Sequence, residues 1–139
     1  MLSDHITRFQ HLGLPVTDIQ KSKAFYAQLG FHEVMSARLP ADDSAIQVVM
    51  MELDGFILEL YQLTGASLEE IRNRDHGHID HFALDVTDIN AVFRMIQAAG
   101  LTPLEQAPVF LPFWENGIYY FNILGPDGEK VEFSHRVTG

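Results

Sequence analysis

His11–Phe31, HLGLPVTDIQKSKAFYAQLGF, recurs without a gap as His81–Leu101, HFALDVTDINAVFRMIQAAGL, at a constant offset of 70 residues. Seven of the 21 pairs are identical: His11/His81, Leu14/Leu84, Val16/Val86, Thr17/Thr87, Asp18/Asp88, Ile19/Ile89 and Gly30/Gly100. Average composition gives about one such identity by chance. A second echo follows each copy, where Asp54-Gly55-Phe56-Ile57-Leu58-Glu59-Leu60 aligns with Asp127-Gly128-Glu129-Lys130-Val131-Glu132-Phe133 at an offset of 73. The chain is a tandem repeat, and each half contributes one histidine and one glutamate at matched places.

Each copy reads the same way. Arg8–Val16 has strand character, Thr17 or Asp18 supplies a capping oxygen, and Ile19, Ser22, Phe25, Tyr26 and Leu29 recur at helical spacing up to Gly30. In the second copy Thr87 or Asp88 caps, Ile89, Val92, Phe93 and Ile96 form the stripe, and Gly100 ends the helix. Strands are expected at Phe31–Arg38, Ala45–Leu53 and Phe56–Leu63, with Asp54-Gly55 as a tight hairpin turn. The second half offers a weaker, proline-bearing strand at Thr102–Pro108, then Gly117–Ile123 and Glu129–His135 joined through Gly125-Pro126-Asp127-Gly128. Both halves are therefore βαβββ units of an α+β fold. The expected organisation is one domain over 1–139, with modules at 6–63 and 78–136 and a linker at 64–77, where Ser67-Leu68-Glu69-Glu70 has capping-box spacing.

A chain of 139 residues suits one compact domain, whereas either half alone is marginal. With 47% hydrophobic and 20% charged residues it reads as globular. A formal net charge of −10, with only nine Lys plus Arg, opposes nucleic-acid and anionic-membrane binding and leaves a small molecule as the expected partner. No apolar run approaches a membrane span, and MLSDHITRFQ lacks the apolar core of a secretion signal, so cytoplasmic residence is expected. With no cysteine, any metal must be held by nitrogen and oxygen.

Strand alternation assigns the repeated residues to faces. His11, Gly13 and Pro15 share one face, and Leu12, Leu14 and Val16 turn to the helix; His81, Ala83 and Asp85 match the first set, and Phe82, Leu84 and Val86 the second. By the same rule Glu59 lies with Ile57 and Tyr61, and Glu132 with Lys130 and Ser134, away from the core. Two units related by an approximate twofold would bring His11, Glu59, His81 and Glu132 into one groove. Two imidazoles and two carboxylates suit a divalent ion (zinc, nickel, cobalt, manganese or iron(II)) and leave positions open on an octahedral metal, as catalytic sites do. His5, His32, His76, His78 and His135 read as ordinary exposed histidines, with His78, three residues before His81, as the rival ligand. Asp54 and Asp127 read as turn residues. Phe110, Phe113 and Trp114, within PVFLPFWENG, either wall an apolar pocket and contact substrate or pack as a hairpin loop.

HLGLPVTDIQKSKAFYAQLGF, ILEL, HFALDV and GPDGEKVEF together resemble the vicinal oxygen chelate superfamily, whose members pair βαβββ modules around a divalent metal, and the resemblance spans most of the chain. It implies His11, Glu59, His81 and Glu132 as ligands, in the order found in bacterial glyoxalase I. It also implies a lyase or isomerase acting on a hemithioacetal-type α-oxygenated carbonyl compound through an enediolate held by the metal, with Glu132 as base and Glu59 as its counterpart, in a homodimer. Pro15 and Leu63 stand where glyoxalase I commonly has the arginine and asparagine that contact glutathione, which puts that thiol in question. An iron(II) dioxygenase would use His11, His81 and Glu132, with Glu59 occupying a position that oxygen or substrate needs. A noncatalytic, antibiotic-sequestering binder is the third class, because a fold does not guarantee an activity.

Overall fold

The computed structural model describes residues 1–41, 44–76 and 79–139. They form two compact units, Met1–Asn73 and Arg74–Gly139. The first, after a 3₁₀ turn at Leu2–His5, runs β1 (Leu12–Pro15), α1 (Ile19–Gln28), β2 (His32–Ala41), β3 (Ser44–Leu53), β4 (Phe56–Gln62) and α2 (Gly65–Arg72). The second runs β5 (His81–Asp85), α3 (Ile89–Ala98), β6 (Val109–Leu111), β7 (Ile118–Leu124) and β8 (Lys130–Arg136). The expected tandem of βαβββ units is present: four-stranded sheets ordered β1-β4-β3-β2 and β5-β8-β7-β6, in which the first and last strands of each unit pair in parallel.

The repeated Thr-Asp resolves to the aspartate. Asp18 accepts from Lys21 N at 3.1 Å and Asp88 from Ala91 N at 3.1 Å, satisfying a free amide in each first turn. Both helices stop at a glycine in the left-handed region, Gly30 at φ +103° and Gly100 at φ +81°. Asp54 and Gly55 both have positive φ, the geometry of the tight hairpin read from their sequence. In the first unit Leu14, Val16, Leu58 and Leu60 are fully buried, and an edge-to-face series runs from α1 into the sheet, Phe25 meeting Tyr26, Tyr26 meeting Phe31 and Phe31 meeting Phe56. In the second, Phe93 packs on Phe121, which stacks on Phe133.

Three expectations are corrected. The first strand spans only Leu12–Pro15, because β4 is its one partner and their register runs from Leu12↔Leu58 to Pro15↔Tyr61; His11 immediately precedes it. α2 begins at Gly65, before the capping-box serine, with Thr64 at the N-cap. Thr102–Pro108 forms no strand and the sheet edge falls at Val109–Leu111 instead. In its place Leu104 N donates to Asn122 O at 2.8 Å, and the Glu105 carboxylate receives Asn122 N. One backbone bond is kept there, and a side chain takes the place of the other. Among the described residues no helix is long and apolar enough to cross a membrane.

Candidate metal and substrate site

The alternation read from sequence holds in both units. On β4 the buried Leu58 and Leu60 flank Glu59, and on β8 the buried Val131 and Phe133 flank Glu132. Each glutamate sits opposite a small residue of the parallel partner strand, Gly13 for Glu59 and Ala83 for Glu132. A methyl group at Gly13 would rest at 3.6 Å from Glu59 Oε1, an ordinary contact, so the first unit has room for the alanine found in the second, and a small residue leaves space above the carboxylate.

That clearance lets each histidine reach its glutamate. His11 Nε2 lies 3.9 Å from Glu59 Oε1, and His81 Nε2 lies 3.5 Å from Glu132 Oε1. All four side chains are part-exposed. The far ring nitrogens are engaged as well. His81 Nδ1 donates to Asp80 Oδ2 at 2.5 Å, and His11 Nδ1 donates to Gln10 Oε1 at 2.9 Å. Carboxylate and amide oxygens only accept, so the proton of each neutral ring is on Nδ1 and the Nε2 lone pair faces the glutamate. In that tautomer a lone pair, not an N–H, is turned to each carboxylate. The hydrogen bond from His81, reinforced by the positive charge of Lys130, holds the Asp80 carboxyl below the ordinary carboxylate range.

The pair of the second unit has the separation of two ligands on one divalent ion, and the pair of the first stands somewhat wider. Ligand bonds of about 2.0–2.2 Å separate two ligands on one ion by roughly 3–3.5 Å, and an Nδ1–H···carboxylate bond is the usual way a ligating histidine is oriented. Within either unit the described residues bring together the pair and no third such ligand. His78, the rival ligand, lies outside the described residues.

Two hollows in the second unit open on its pair. One, of about 320 Å³, is lined by Asp80, His81, Lys130, Glu132, Asn122 and Tyr120 together with Leu111, Phe113 and Ile118. A wider one, of about 870 Å³, extends from His81 and Glu132 past Asp85 to Phe113, Trp114 and Arg136. Of the three aromatics named from sequence, Phe113 and Trp114 line these hollows. Phe110 faces the other way, pairing with Tyr119 at 5.2 Å between ring centroids and covering Gly117, where a Cβ would collide with its ring at 2.2 Å.

Sequence reading passed over Asn122, Tyr120, Asp80 and Arg136. Asn122 is directly opposite Glu132 in the β7–β8 register, and Glu105 clamps it, receiving Asn122 N at 2.7 Å and Nδ2 at 2.9 Å. Alternation of Ile118, Tyr120 and Asn122 was the available signal, and it gains meaning only once β7 is registered on β8. His135 serves the fold, its Nδ1 donating to Val86 O at 2.9 Å.

The Glyoxalase/Bleomycin resistance protein/Dioxygenase superfamily model matches residues 8–133. YwbC of Bacillus subtilis (strain 168), an uncharacterized protein, is 31% identical over 131 residues, covering 93% of this chain and 98% of its own. Virulence protein STM3117 of Salmonella typhimurium superposes with a TM-score of 0.69 at 27% identity, over 95% of this chain and 98% of that one. TnmS3, an antibiotic binding protein from Streptomyces sp. CB03234, shares the fold with a TM-score of 0.71 at 18% identity, over 95% and 98%. The duplicated βαβββ unit is the fold these proteins share, and the chain belongs to the Glyoxalase/Bleomycin resistance protein/Dioxygenase superfamily.

Proposed function

We propose that His11, Glu59, His81 and Glu132 bind one divalent metal ion and that the protein is a glyoxalase I-like lyase or isomerase acting on a hemithioacetal-type, α-oxygenated carbonyl compound. The observation that carries this reading is the repeated pair: in each unit an oriented imidazole turns its lone pair to a glutamate at 3.5–3.9 Å, and two ligands alone do not complete a site. A bound divalent ion would supply Lewis-acid stabilisation of negative charge developing on the substrate's vicinal oxygens.

The chain's own groups supply the rest. Glu132 takes a proton from the carbon beside the carbonyl and returns it to the neighbouring carbon, a transfer that needs one carboxylate in reach of both positions. Asn122, fixed by Glu105, offers an amide next to that carboxylate. Leu111, Phe113 and Ile118 line the same hollow and give the substrate an apolar wall. Small molecules are the natural class for hollows of this size.

The test is metal analysis of protein purified without chelator, followed by hemithioacetal isomerase assays with several thiols. About one zinc, nickel, cobalt, manganese or iron per site, activity abolished by chelator and restored by metal, is the expected result. Protein that takes up no divalent ion overturns the metal reading. A second reading, a noncatalytic small-molecule binder, is favoured by the exposed Phe113 and Trp114 on the wide hollow and by the shared fold with TnmS3. It predicts ligand binding with no turnover of any thiol adduct.

A further inference from the structure

In a chain with nineteen acidic and nine basic side chains, a cation on the functional face with no carboxylate partner is informative. Alternation along β8 places Arg136 on the same face as Lys130 and Glu132, and Arg136 lines the wide hollow that also holds His81 and Glu132. Among the described residues no carboxylate forms an ion pair with it. Asp85, one strand away on the same wall, is not paired with it either.

What Arg136 has is Trp114. Its guanidinium carbon lies 3.6 Å from the centroid of the indole ring. Trp114 sits at φ +61°, a left-handed conformation that non-glycine residues seldom adopt, in the turn that leads to β7. Stacking occupies the face of the guanidinium and orients it, while the N–H donors point outward in the ring plane and stay free. Such an edge is shaped for a carboxylate, which it can meet with two parallel hydrogen bonds.

We propose that Arg136, held face-on by Trp114, is the anion-recognition residue of this site, and that the substrate carries a carboxylate at the end remote from its reacting oxygens. The inference rests on the reading of His81 and Glu132 as the reacting end. Four residues of strand separate Glu132 from Arg136, about 13 Å along β8, so the two ends of the substrate are roughly 10 Å apart. Phe113 and Ile118, on the wall between them, suit an apolar connecting chain. Arg136 is then a specificity residue, and Trp114 a positioning residue that acts through it.

Trp114 is the only tryptophan of the chain, so its fluorescence reports on this end of the hollow. The full chain, as purified, is titrated with hexanoate and with 1-hexanol, which match in length and differ in charge. A saturable change in emission with hexanoate only, lost in Arg136→Gln, retained more weakly in Arg136→Lys and kept in His81→Ala, is the expected result. An equal response to hexanol, or a hexanoate response lost in His81→Ala and kept in Arg136→Gln, overturns the proposal. A second arm compares the methylglyoxal hemithioacetals of 6-mercaptohexanoate and 6-mercaptohexanol. The acid should be preferred about tenfold in kcat/KM through KM, a preference erased by Arg136→Gln. Hexanoate binding at Arg136 without turnover of either adduct would sink the hemithioacetal chemistry and leave the anion site standing. Turnover of both adducts at equal efficiency would do the reverse.

Discussion

Oε1 of Glu132 lies 3.5 Å from Nε2 of His81, while the other nitrogen of that ring gives its proton to Asp80. The same relation recurs between Glu59 and His11 at 3.9 Å, with Gln10 in the place of Asp80. Position is conserved between the repeats and charge is not. A carboxylate orients the ring of His81 and an amide that of His11, and the ionised acceptor makes the stronger hydrogen bond.

That asymmetry is measurable. Asp80→Asn should weaken divalent-metal affinity about 10–100-fold in a chelator competition, and Gln10→Ala should weaken it less. Asp80 is largely exposed, so the thermal midpoint of the metal-free protein should not move. Equal affinities in Asp80→Asn and the parent chain would show that the carboxylate does not support the ligand.

Glu132 should separate from Glu59 in catalysis. Glu132→Gln removes the proposed base and is expected to lower kcat for the preferred hemithioacetal by about 10²–10⁴. Glu59→Gln, which removes a charge from the ligand set without removing the base, should lower it less. Unaltered turnover in Glu132→Gln removes that residue from the chemistry.

Glu105 links the fold to the site. Its carboxylate holds both the backbone and the side-chain amide of Asn122, so Glu105→Ala leaves two part-buried donors without their acceptor. A loss of about 1–3 kcal/mol in urea unfolding is expected. Glu105→Gln keeps one acceptor oxygen and should recover part of it.

The turn before β8 holds a glycine with no room for a side chain. Glu129 is fully buried, its Oε2 accepts from Asp127 N at 3.0 Å, and Gly125 N donates to Glu129 O at 2.7 Å. A Cβ on Gly125 would sit 2.0 Å from Glu129 Oε1. Gly125→Ala should therefore cost about 1–3 kcal/mol, read as a fall of several degrees in Tm. Gly55→Ala is strained only by its backbone, since nothing lies within 4 Å of the added carbon.

Much of this molecule is legible in one dimension because its determinants are local. The repeat announces two units, Asp18 and Asp88 cap their own helices, Asp54-Gly55 sets its own turn, and a period of two puts each His and Glu on the face opposite the buried leucines and valines. Local signals also misled. Ser67-Leu68-Glu69-Glu70 has the spacing of a capping box, yet the helix forms from Gly65; Thr102–Pro108 has strand residues, yet its partner's amide is taken by Glu105.

Periodicity says which face a side chain takes, and only register says which side chains are neighbours. That Glu132 faces Ala83 and Asn122, that Asp80 backs His81, and that Trp114 folds under Arg136 from a turn well before it in the chain are decided by strand pairing and by one left-handed tryptophan. The sequence by itself determined which face each histidine and glutamate takes. The tertiary structure decided what stands beside them, because cross-strand contacts join residues that no local pattern relates.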